Sequence, residues 1–139
     1  MKAIFETCTP RDEVLKGELR EQQFAASLTK VLRGEADEIY GDPAKFFPNT
    51  YPTGGLRSLL TESLGRLGGS KLSNAPIIRL ETSFGGGKTH GLTAVYHLAG
   101  GARPTNIAEF IDPALLPDGP IQVAALVGEV EDAKAAQHR

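Results

Sequence analysis

Five consecutive residues have the types and spacing to do chemistry: Gly85, Gly86, Gly87, Lys88 and Thr89. A phosphate chain needs several backbone N–H groups aimed at one point. Glycines let the backbone approach closely and adopt positive φ. A helix beginning just after them adds the positive end of its dipole. A Lys on the first helical turn reaches β- and γ-phosphate oxygens, and a hydroxyl beside it can ligate Mg²⁺. Lys88 and Thr89 occupy those two places, so ATP with Mg²⁺ is the expected ligand and Thr89 the expected metal contact. Nothing in the sequence reads the base, so GTP stays open. The full phosphate-loop spacing is G-x-x-x-x-G-K-[ST], which asks for a first Gly at position 82. The chain has Thr82 there, and Gly85 and Gly86 supply compensating freedom.

The remaining reactive side chains form no comparable group. Glu81 and Ser83 flank the loop and read as strand-end polar residues. His90 follows Thr89 and reads as a packed or solvated histidine; His97 and His138 belong to no constellation. Cys8 has no His or acidic partner nearby in sequence, so it is no candidate nucleophile. A hydrolase also needs a Mg²⁺-ordering acid, a water-activating residue and often an Arg from a neighbour. Glu129, or the Glu131-Asp132 pair, is the local candidate for the acid, and no Arg stands out as a finger. Nucleotide binding is therefore expected of this chain, with hydrolysis expected only of a longer protein.

These residues need elements to position them. Residues 1–67 read as helical. Thr9-Pro10 opens one helix, and Phe24, Leu28, Val31 and Leu32 mark another that Gly34 stops. Turn chemistry from Tyr40 to Pro52 surrounds a Phe46-Phe47 anchor. Thr53 caps a helix with apolar face Leu56, Leu59, Leu60, Leu64 and Leu67, ended by Gly68-Gly69-Ser70. Beyond Ala75 the texture changes. Ile77 to Leu80 reads as a short buried strand, a helix follows the glycine loop to Ala99, and 106–116 is a short helix or turn. Ile121 to Val127 reads as a second strand. Strand, loop, helix and strand predict a βαβ unit. The expected fold class is α/β, with a helical preamble over 1–70. The first βαβ of a parallel NTPase sheet occupies 71–139. Two strands cannot cover both faces of such a sheet. An incomplete domain prone to self-association is the further expectation.

Composition narrows the classes. The 139 residues are 40% hydrophobic and 23% charged, ordinary values for a folded protein. The net charge of −2 is spread evenly, with no basic arm for nucleic acid or membrane. There is no Trp, so a large base-stacking platform is not expected. A single Cys forms no internal disulfide, and the start lacks a signal peptide's apolar run, which together imply a cytoplasmic protein. No apolar stretch is long enough to span a bilayer.

Several segments together resemble a known family. They are Phe5 to Arg11, Val31 to Gly34, Phe46 to Thr53 with Leu56, Glu81 to His90, and Val123 to Gly128. They are similar to the N-terminal region of large prokaryotic AAA-like P-loop ATPases of unknown function, often encoded beside DNA-methylase-type genes in defence islands. The resemblance implies that Thr82 is a family trait, that Gly85 to Thr89 hold ATP and Mg²⁺, and that other subunits or DNA are partners. Two other readings stand beside it: a nucleotide switch that does not hydrolyse, and a truncated helical interaction module that binds no nucleotide.

Overall fold

The computed structural model describes residues 8–10, 12–17, 26–81 and 87–127. Helices dominate it. α1 spans Asp12–Leu15, α2 Leu28–Arg33, α3 Glu38–Gly41, α4 Pro43–Phe46, α5 Gly54–Leu67 and α6 Lys88–Ala99. Two 3₁₀ turns, Ile107–Glu109 and Pro113–Leu115, stand where the sequence predicts a short helix or turn.

Local chemistry sets the helix ends. Ser27 caps α2 by accepting from the Lys30 N–H, and Gly34 closes it in the left-handed region. Asp37 and Asp42 cap α3 and α4 through their carboxylates. Pro43 at the first position of α4 has a φ suited to a helix start and lacks only an N–H that would be orphaned there. Thr53 caps α5 as the sequence predicts, its hydroxyl accepting from the Leu56 N–H at 3.2 Å. α6 begins at Lys88, immediately after the glycines.

The core joins α5 and α6. Leu56, Leu60 and Leu64 of α5 are buried with Ala94, Leu98 and Ala99 of α6, and with Phe46, Phe47, Phe110, Ile111 and Leu116. The predicted Phe46-Phe47 anchor lies at its centre. Phe47 meets Phe46 and Phe110 edge-on, with centroids 5.2 and 5.1 Å apart. The Arg103 guanidinium donates to the carbonyls of Leu98 and Pro117, holding the chain after α6 against its C-terminal turn.

The predicted βαβ sheet is overturned. No strand occurs among the described residues, and neither 77–80 nor 121–127 pairs as one. Ile77 is 83% exposed and Leu126 96%, where a parallel sheet would bury both. The apolar face of α6 goes to α5 instead, so the helix that should have covered a sheet is already occupied. Without a covering layer or a ladder partner, the two apolar segments stay irregular at the surface. Ile121 N–H donates to the Ala99 carbonyl at 2.7 Å, tying the second segment to the end of α6 rather than to the first segment.

Candidate functional site

Of the five predicted loop residues, Gly87, Lys88 and Thr89 are described. Gly85 and Gly86 lie outside the described residues, as do Thr82, Ser83 and the acids at 129–132. Gly87 is the N-cap of α6 with φ 75°, a conformation that a side chain would strain. As a glycine, Gly87 itself supplies no side-chain cap to this end of the helix. The first N–H groups of any helix lack intrahelical partners, so an uncapped N-terminus is a natural place for an anion.

Gly87 and Lys88 line a cavity of about 450 Å³. Its other wall comes from a segment that sequence reasoning did not connect to the loop. Thr53 and Gly55, at the N-terminus of α5, line the same space. The positive ends of two helices, 14 and 12 residues long, thus meet at one cavity beside a lysine. One turn further along, Leu59 of α5 and Gly91 of α6 close it. A Cβ built on Gly91 would stand 3.1 Å from the Leu59 Cδ2, so glycine at 91 permits the close approach of the two helices. Tyr51, Leu56 and Leu80 give the cavity apolar surface.

Thr89 lines a second cleft with Ser27, Thr29 and Leu126, and its backbone carbonyl accepts from the Thr93 hydroxyl at 2.9 Å. The described arrangement does not bring Thr89 and Lys88 to one cavity. No group of three or more His, Cys, Asp or Glu side chains suited to a metal occurs among the described residues.

His90, on the first turn of α6, connects the cavity to the core. The Thr50 hydroxyl donates its one proton to the Phe46 carbonyl at 2.8 Å. It must then accept from His90 Nε2, 2.9 Å away, which fixes the proton on Nε2. The His90 ring lies over Phe46, centroids 4.6 Å apart, with Tyr40 edge-on at 6.3 Å. Seven residues on, His97 donates from Nε2 to the Tyr40 carbonyl at 2.7 Å and also packs on Phe46. Burial pushes both histidines below their ordinary pKa; for His97 the Tyr40 carbonyl and the Asp42 charge oppose that shift. Both rings are thus packed groups that pin α6 to residues 40–50; for His90 this is one of the two readings the sequence offers. His90 also lines the cavity, so it is both a packing group and a site wall.

The signal that could have found the second wall is the Thr53-Gly54-Gly55 start of α5. Gly54 and Gly55 open the helix, where alanine is the better helix former. Gly55 faces nothing within 4 Å of a built Cβ, so close helix packing does not account for it.

Among the described residues no helix is long and apolar enough to cross a membrane. A family model described as the DUF499 N-terminal domain matches residues 4–113. No curated protein and no solved structure matches the chain.

Proposed function

We propose, from the premise that this chain belongs to the DUF499 N-terminal domain family, that it binds the phosphate chain of a nucleotide at the N-terminus of α6. The observation that carries the reading is the meeting of the α5 and α6 N-termini with Lys88 at one cavity. Each helix end contributes roughly half a positive charge, and the lysine a whole one. Three positive sources bordering one cavity suit a polyanion better than a neutral ligand. The Lys88 ammonium neutralises phosphate oxygens, while backbone N–H groups at the two helix ends donate to them. Gly87 keeps the α6 end open to close approach.

The resemblance to AAA-like ATPases favours ATP as the nucleotide. It extends the proposal to a larger machine in which this segment holds nucleotide and other regions, subunits or DNA complete the work. A Mg²⁺ ion bound to the nucleotide would screen its phosphates. Thr89, the residue after Lys88, carries the hydroxyl that would hold that ion.

The test is calorimetric titration of the whole chain with tripolyphosphate and with ATP, each with and without Mg²⁺. Lys88→Ala is expected to weaken both ligands by tenfold or more, the range for losing one charge-assisted hydrogen bond. Equal affinity in the parent chain and Lys88→Ala refutes the reading. Lack of binding of either phosphate ligand by the parent chain favours the interaction-module alternative.

A further inference from the structure

The cavity is larger and more apolar than a phosphate chain requires. Beside the charged helix ends, Tyr51, Leu56, Leu59 and Leu80 line it. Phosphate oxygens gain nothing from such surface, which is wasted on an inorganic polyanion. A ligand carrying an anionic chain at one end and a flat, poorly hydrated ring at the other satisfies both parts of the lining. That description is a nucleotide with its base attached.

We infer that the cavity between α5 and α6 takes the aromatic base of the ligand, held by stacking on Tyr51 and by apolar contact with Leu56, Leu59 and Leu80. The inference rests on the phosphate reading above for where the other end of the ligand lies. It adds the class of recognition: the base is bound by its π-face and its shape.

Three observations support it. Tyr51 is 82% exposed and also lines the cavity, so an aromatic residue borders both the site and solvent. Exposing so large a ring to water forgoes burial that a tyrosine normally gains. Gly55 leaves its part of the wall without a side chain, although alanine would favour the helix and nothing within 4 Å would resist it. Finally, two polar side chains of the described wall already hold partners within the protein: the Thr53 hydroxyl accepts from the Leu56 N–H, and His90 Nε2 donates to Thr50. Tyr51 and the leucines add stacking and apolar contact, which every base can satisfy. ATP and GTP are therefore expected to bind within a few-fold of each other.

The experiment compares four probes on the whole chain by calorimetry: ATP, GTP, tripolyphosphate and adenosine. Tyr51 is a safe position to change because it is exposed. ATP is expected to bind at least tenfold more tightly than tripolyphosphate. Tyr51→Ala should cost ATP and adenosine about tenfold, the scale of one base–aromatic stack, and leave tripolyphosphate unchanged. Tyr51→Phe should restore both, because the ring and not the hydroxyl makes the contact. Equal affinity for ATP and tripolyphosphate, unmoved by Tyr51→Ala, overturns the base site while leaving the phosphate reading intact. Adenosine binding lost in Tyr51→Ala, with no tripolyphosphate binding, keeps the base site and removes the phosphate reading. A preference of more than a hundredfold between ATP and GTP refutes recognition by stacking alone.

Discussion

Phe46 is where the fold and the candidate site are mechanically joined, and its removal has a calculable consequence. It is 1% exposed, lies under the His90 ring at 4.6 Å and packs on His97 at 5.4 Å and Phe47 at 5.2 Å. An aromatic side chain buries about 150–250 Å², which at ~25 cal/mol per Å² is about 4–6 kcal/mol of transfer free energy. Alanine keeps a part of that, and the vacated space adds a cavity cost, so Phe46→Ala should destabilise by about 3–5 kcal/mol. A small domain holds only about 5–15 kcal/mol in total. The variant should therefore sit near its unfolding threshold at room temperature. Urea denaturation followed by far-ultraviolet circular dichroism measures this. Leu72→Ala, at a side chain 70% exposed, is the control and should move stability by less than about 0.5 kcal/mol. A Phe46→Ala loss below about 1 kcal/mol, or one matched by the control, would refute the placement of Phe46 at the centre of the core.

Two further outcomes follow from local chemistry. Thr53→Ala removes the oxygen that accepts from the Leu56 N–H and should cost about 1 kcal/mol, read as a lower midpoint in the same urea titration. Acid should also destabilise the protein. His90 and His97 have folded-state pKa values below the ordinary 6.5, so between those values and 6.5 the unfolded chain binds more protons. Their contribution is complete above pH 6.5 and is lost as pH falls from there through the folded-state values. Urea midpoints at pH 7.5 and 5.5, for the parent chain and for His90→Gln with His97→Gln, check this; the parent's extra loss on acidification should shrink in the double variant.

Much of the helical part was legible because its signals are local. A cap needs only a hydroxyl at the right place, so Thr53 announces α5. A pair of adjacent phenylalanines amid turn residues has little alternative to burial, and Phe46 and Phe47 are both buried. Lys88 at the start of a helix, behind a left-handed glycine, is likewise a matter of neighbouring residues. His90 was readable only as a packed or solvated side chain and His97 only as a residue of no constellation, since their partners, Thr50 and the Tyr40 carbonyl, are 40 and 57 residues away.

The sequence by itself determined the starts of α5 and α6, the leucine face of α5 and the glycine-lysine turn, all set by interactions within a few residues. Tertiary structure alone decided what those elements met. The apolar runs at 77–80 and 121–127 carry the composition of buried strands, yet a strand exists only through a ladder with another segment. Once α6 spends its apolar face on α5, no layer among the described residues covers them. The same packing brings the start of α5 to the start of α6, where Leu59 and Gly91 come together. Thirty-odd residues of chain separate those two helix starts. No local pattern states that both face one cavity, because the convergence is a property of how two helices pack.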